Sequence, residues 1–266
     1  LITSGSPWQS VEFHPAISST NSRASELARS YAAELGSGES PLWRVVLTDD
    51  QTGGRGRLGR SWEVPPRASV AVSAIVPAPS AREVGWVPLL TGVALAKAIG
   101  AVTEAAGQRL ETRLKWPNDV LLPADEDRKV AGILCELVAI GDAHHAVVVG
   151  TGVNVDQARD ELPVETATSL RLAGCEVARE DLVVRYLAEL VQVLQSGGAL
   201  AREEYRDQCA SLGADVRVDL PNGVAAEGRA VRVDDSGALV VVVGGVEQVF
   251  SAGDVVHLRR GTAGLA

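Results

Sequence analysis

The 266-residue sequence contains no methionine, only three cysteines, and only three lysines among its 25 basic residues. Cys135, Cys175 and Cys209 lie far apart without CxxC or His-paired spacing. That excludes a disulfide framework and a cysteine-based zinc site, and reduced, cytoplasmic thiols are the plain expectation. No apolar run reads as the roughly 18 to 20 residues that span a bilayer, and the opening LITSGSPWQS lacks the charged and apolar regions of a signal peptide. A membrane is therefore not expected as a partner. Aromatic residues make up 4% of the chain and the formal net charge is −9. Both weigh against a nucleic-acid coat, which needs a basic face and stacking platforms. Because arginine covers the ordinary basic positions, Lys97, Lys115 and Lys129 stand out as places where a compact ammonium is wanted.

With 46% apolar residues and mixed charge, the chain can bury one large core with room for a small second domain. Thr20 and Asn21 read as caps of a helix carried by Ala24, Leu27, Ala28, Tyr31 and Leu35 at helical spacing. Strands fit residues 42–48 and 69–76, the latter with small and β-branched residues on both faces. An alanine-rich run from Pro88 to about Ala106 reads as a buried helix, and RLETRLKW as a half-exposed strand broken by Pro117-Asn118-Asp119. Strands over 129–140 and 144–155 are joined by a turn at Gly141-Asp142, and a helix opens at Glu180-Asp181. Helical texture continues through ALAREEYRDQCASLG. From about Asp215, short valine-rich strands separated by Pro221-Asn222-Gly223, Asp234-Asp235-Ser236-Gly237 and Gly244-Gly245 indicate a small antiparallel barrel. The expected division is 1–212 and 213–266.

Three stretches carry chemistry. GGRGRLGRSW, residues 53–62, places Arg55, Arg57 and Arg60 among four glycines and ends on Trp62. Glycines let backbone amides turn toward one anion, and arginine forks match phosphate or carboxylate oxygens. The competing reading is a solvated flexible loop. KWPNDV, residues 115–120, is followed by RKVAGILCE, residues 128–136. There Asn118 and Asp119 occupy a strand-end turn, Lys129 opens an apolar strand, and Gly132 leaves space for a close approach. Alternatively these are an ordinary turn and a solvated edge lysine. GTGVNV, residues 150–155, offers two glycines and the amide of Asn154, or simply a bulge and a turn.

In this order, STN at 19–21, GRGRLGRSW, KWPNDV, RKVAGIL and GTGVNV resemble the biotin protein ligase family across roughly residues 18–155. The β-rich end is similar to that family's small barrel. The resemblance implies an α+β, class II synthetase-like core with a mainly antiparallel sheet and an SH3-like C-terminal barrel. It implies joining biotin to ATP as biotinyl-5′-AMP, then transfer to one lysine of a biotin carboxyl carrier domain of an acyl-CoA carboxylase. Mg²⁺ is expected with ATP, and no metal ligands are assigned. By the same match, biotin contacts fall on Ser19, Thr20, Asn21, Gln51, Arg55, Gly56, Arg57, Lys129 and Gly132. ATP or adenylate contacts fall on Arg57, Arg60, Trp62, Asn118 and Asn154, and catalytic roles on Lys129, Arg55 and Asp119.

Some members of that family carry a winged helix that binds DNA. Here 53 residues precede Gly54 and about half already match the ligase core, so a DNA-binding role is not expected. A lipoate ligase or lipoyl transferase of the same fold is the nearest alternative; a non-catalytic nucleic-acid-binding protein is the alternative from another class. A monomer and a homodimer are both compatible with the sequence.

Overall fold

The computed structural model describes residues 5–33, 42–140, 144–196, 198–221 and 223–258, the side chains of 31–33 excepted. The chain runs β1 (Ser10–His14), α1 (Thr20–Ala33), β2 (Arg44–Thr48), β3 (Gly54–Arg55), β4 (Ser61–Trp62), β5 (Ser69–Pro77) and α2 (Trp86–Ala105). It continues with β6 (Arg113–Lys115), β7 (Asp119–Leu122), β8 (Arg128–Ala139), β9 (His145–Asn154), α3 (Arg179–Gln195) and α4 (Ala199–Gln208). The last part holds β10 (Asp215–Asp219), β11 (Ala225–Val233), β12 (Leu239–Val243), β13 (Val246–Phe250) and β14 (Asp254–His257).

The large sheet has the order β1-β2-β5-β9-β8-β7-β6. Only β1 and β2 pair in parallel, and every other neighbour is antiparallel. Because side chains alternate along a strand, both faces of its centre are buried. Val45, Val72, Val147 and Val149 join the larger core with α2 and α3, while Val46, Ile75 and Val148 meet Ala24 and Ala28 of α1. The 20-residue helix of that core, α2, corrects the sequence reading: by length and composition it could cross a membrane. It instead packs inside the protein, with 78% of its most apolar window buried.

Several element readings also shift. The helix cap is Ser19, whose hydroxyl accepts the Ser22 N–H at 3.3 Å, so Thr20 and Asn21 lie inside the first turn of α1. Strand β1 falls in the stretch taken as irregular, because its partner β2 lies about 34 residues away in register. The segment after Pro117 resumes as β7, and the expected strand before it shrinks to the three residues of β6. The expected turn at 141–142 lies outside the described residues.

The second sheet is wholly antiparallel, in the order β13-β12-β11-β10-β14. It is keyed to the first by the β11–β12 turn. Asp234 Oδ1 closes that turn by accepting the N–H groups of Ser236 and Ala238 at 2.8 and 3.0 Å. Two tryptophans grip its outer carbonyls: Trp86 Nε1 donates to Asp235 O and Trp116 Nε1 to Gly237 O, each at 3.0 Å. The backbones touch here. Gly237 has φ +86°, and a Cβ at this position would lie 2.7 Å from the Gly85 carbonyl carbon. Gly237→Ala should therefore cost about 1–3 kcal/mol from the left-handed conformation plus the clash. A thermal melt should show Tm lower by several degrees; an unchanged Tm would mean that the turn is not seated as described.

Candidate active site

The site grows out of one face of the large sheet. Beneath the body of α1 that face is apolar, with Ile75, Val138 and Val148. Beyond the start of α1 the same alternation brings small residues to this face: Ser73 on β5, Gly150 and Gly152 on β9, Gly132 on β8. Gly132 and Gly152 are register partners, as are Leu134 and Gly150. A trough results, and side chains from elsewhere fill it. A Cβ on Gly150 would lie 2.0 Å from Asn21 Oδ1; one on Gly152 would lie 2.6 Å from Trp62 Cε2. The space over Gly132, expected to be free for a ligand, is taken by Lys129 and Trp62, each about 3 Å from where its Cβ would be.

At one end of the trough the first turn of α1 forms a buried polar network. Gln51 Oε1 accepts from both the backbone N–H and the hydroxyl of Thr20, at 3.0 Å each. The Ser73 hydroxyl bridges Thr20 Oγ1 and Asn21 Oδ1 at 2.8 and 2.6 Å. Asn21 Nδ2 donates to Leu134 O at 3.1 Å and to Glu136 Oε2 at 2.8 Å. Ser19, Thr20 and Asn21 are all buried.

The arginine-glycine segment lies over the trough as a hairpin, with Gly54 opposite Trp62 and Arg55 opposite Ser61. Gly56 N–H bonds Arg60 O at 2.6 Å. Leu58 and Gly59 close the tip with φ of 55° and 76°. Three like charges in six residues repel, and partners distant in sequence offset them. Arg55 pairs with Glu136 at 3.0 Å, Arg60 pairs with Asp254, and Arg57 donates to Gly253 O at 3.3 Å. The loop thus spans from β8 to the start of β14. Together with Leu134 and Glu136 it walls a cavity of about 350 Å³.

The opposite end is cationic. Lys129 Nζ lies 2.6 Å from Asp119 Oδ1, an ion pair without hydrogen-bond alignment, and 5.6 Å from the Trp62 ring centroid. Lys115 is the register partner of Asp119. Burial lowers the Lys115 ammonium below the ordinary lysine range, an effect that Asp119 opposes and Lys129 reinforces. Burial likewise lowers the Arg57 guanidinium, against the pull of Asp254 and Asp119. Two buried donors here have no acceptor, Arg57 Nε and Trp62 Nε1. Unmade hydrogen bonds of buried groups are costly, so the cluster is chemically fit for a ligand rich in acceptor oxygens.

The remaining sequence candidates are braces. Asn118 Nδ2 donates to Ile133 O at 2.9 Å, while Asn154 Nδ2 donates to Thr168 O at 2.9 Å and its Oδ1 accepts from Gln157 at 3.0 Å. Four residues outside the sequence-derived set belong to the constellation: Ser73, Lys115, Glu136 and Asp254. Lys115 was visible as one of three lysines and Glu136 by its place on the trough-facing register of β8. Nothing local marks Asp254, which reaches the site only through the seating of the second sheet.

Residues 15–154 match the biotin/lipoate A/B protein ligase family model, and residues 211–258 match the biotin protein ligase C terminal domain. The chain is 37% identical over 266 residues to the biotin–[acetyl-CoA-carboxylase] ligase of Mycobacterium tuberculosis, covering 97% of this chain and 93% of that one. It is 32% identical to the enzyme of that name from Paracoccus denitrificans, covering 89% and 96%. The biotin protein ligase of Aquifex aeolicus in complex with biotin and ATP shares the fold, with a TM-score of 0.74 at 22% identity over 95% of this chain and all of that one.

The trough makes its own prediction. Gly152→Ala puts a methyl group where the Trp62 ring lies, so the ring should be expelled. Its fluorescence, isolated by difference against Trp62→Phe, should shift to the red and become more open to acrylamide. Unchanged emission would show that Trp62 does not rest on the glycine floor.

Proposed function

The chain belongs to the biotin/lipoate A/B protein ligase family, and on that premise we propose that it is an ATP-dependent biotin protein ligase acting on the biotin carboxyl carrier domain of an acyl-CoA carboxylase. The observation that carries this reading is the cationic end of the trough. Lys129, Lys115, Arg57 and Arg60 gather around Asp119 and Asp254, and two buried donors there lack acceptors. Such a cleft suits a reaction that brings a carboxylate against a triphosphate. Like unit charges 4 Å apart repel by about 4 kcal/mol at an effective dielectric of 20, and fixed cations remove that barrier without reorganising.

In the first step a carboxylate oxygen of biotin attacks the α-phosphorus of ATP. The bond from that phosphorus to the bridging oxygen of the β-phosphate breaks, pyrophosphate leaves with the electron pair, and biotinyl-5′-AMP remains. Lys129 is assigned to the carboxylate and then to the bridging region of the adenylate, with Arg55, Gly56 and Arg57 over the intermediate and Arg60 toward phosphate. Ser19, Thr20, Asn21 and Gln51 offer the mixed donors and acceptors that a ureido ring needs. Because Lys129 and Trp62 take the space over Gly132, the ligand's apolar tail enters as Trp62 lifts, and the ring can then cover it. Mg²⁺ would accompany ATP and neutralise charge there, and Asp119 is the carboxylate assigned beside it. In the second step the neutral amine of the carrier lysine attacks the acyl carbon. The acyl–oxygen bond breaks, AMP leaves, and the surplus proton passes to solvent; orienting the amine is assigned to Asp119. The ligase core is assigned to 1–212 and the barrel to 213–266.

The direct test is ATP–pyrophosphate exchange driven by biotin, with lipoate as the control. Exchange with biotin and none with lipoate is expected; exchange with lipoate alone overturns the reading. Lys129→Ala should lower biotin-driven exchange by about 100-fold with unchanged circular dichroism. Near-normal exchange would remove Lys129 from the chemistry. Arg57→Gly should speed release of the adenylate more than it slows formation, read as biotin appearing on bystander proteins. Labelling confined to the carrier lysine would give Arg57 another role.

A further inference from the structure

We propose that Glu136 is a positioning residue for biotin: it fixes Arg55, and with it the arginine-glycine hairpin, at a set height over the trough. The inference rests on the function proposed above and deepens it. Glu136 follows Gly132 and Leu134 on the trough-facing register of β8. Its two oxygens are divided unequally. Oε2 accepts from Asn21 Nδ2 at 2.8 Å and from Arg55 at 3.0 Å, while Oε1 meets Arg55 alone at 3.2 Å.

The two partners differ in freedom. Asn21 is 5% exposed, with its amide also bonded to Leu134 O and Ser73 Oγ, and the absence of a side chain at Gly150 is what makes room for it. It cannot follow a moving carboxylate. Arg55 is about half exposed and is tied to the rest of the chain through the two-residue pairing of β3 with β4. The carboxylate is therefore held from the buried side and offered to the exposed side. Exposed ion pairs contribute little to stability, which leaves placement of Arg55 as the work this pair can do. One carboxylate joins the floor of the trough, through Asn21, to its cover, through Arg55.

The charge of Glu136, and not merely its shape, is what the proposal requires. Glu136→Gln keeps an acceptor for Asn21 and the same size but removes the attraction for Arg55. Glu136→Asp keeps the charge on a shorter stem. In ATP–pyrophosphate exchange with the full chain, Glu136→Gln should raise the KM for biotin about tenfold, a larger change than the fall in kcat, with the KM for ATP within about twofold of the unaltered protein. Glu136→Asp should lie closer to the unaltered protein than Glu136→Gln does, the reverse of what a purely steric role gives. In an Arg55→Ala background, adding Glu136→Gln should change the KM for biotin by less than about twofold, because the carboxylate acts through that arginine. Melting temperature should not move in either single Glu136 variant. The proposal is overturned by an unchanged KM for biotin in Glu136→Gln, by Asp faring worse than Gln, by full additivity with Arg55→Ala, or by loss of the fold. Absence of biotin-driven exchange in the unaltered protein would strike the proposed function instead.

Discussion

Repulsion among Arg55, Arg57 and Arg60 is the constraint on which the arrangement of the site depends. A loop this rich in glycine loses much entropy on ordering, and three cations in it add a further cost. The fold meets both from a distance. Glu136 and Asp254 neutralise two of the arginines, and the Gly253 carbonyl takes a hydrogen bond from the third. These contacts set where the hairpin lies, and so where Trp62 enters the trough.

The same contacts explain the second sheet's place in the molecule. The seating of the β11–β12 turn between Trp86 and Trp116 helps to bring Gly253 and Asp254 to the loop, and Trp116 itself belongs to the KWPND stretch. Ser211 and His257 tighten this junction, with Ser211 Oγ 3.0 Å from His257 Nε2 and 3.2 Å from the Trp116 N–H. Burial lowers the His257 pKa from its ordinary 6.5, with Lys115 adding to the effect. Its neutral form is thus the native one, and stability present above pH 6.5 is lost as pH falls through the lowered value. The barrel and the cationic end of the trough form one electrostatic unit.

Much of this was legible in the residues. The two-sided burial of β5 followed from its small and β-branched alternation, and the antiparallel strands after Asp215 from valine runs with turn residues between them. The loop, Lys129, Asp119 and Gly132 stood out because their residue types are unusual for their local setting, and the fold brings them together. What the sequence hid was long-range. Strand β1 depends on parallel pairing with β2, Asp254 depends on docking of the second sheet, and the glycines of GTGVNV admit Trp62 and Asn21 from other segments. Asn154 has the side chain of a ligand contact, yet its amide is committed to Thr168 and Gln157. Local pattern cannot tell a spare amide from an engaged one.

If Asp254 is a stand-in that an anionic ligand replaces on Arg60 while Glu136 keeps its hold on Arg55, ligand should hold the loop more firmly than Asp254 does. Half-exposed ion pairs are weak and screened by salt. An adenylate offers two phosphate oxygens that share a negative charge, which arginine forks and backbone amides can grip together, and the closed loop would shield its reactive anhydride from water. Limited trypsin digestion reads this directly, since Arg55, Arg57 and Arg60 are themselves cleavage sites. Cleavage at these three arginines should be slowed by biotin and Mg-ATP together far more than by either alone, and quickened by salt when neither is added. Equal rates under all these conditions would contradict the account of the loop as a cover that exchanges Asp254 for an anionic ligand.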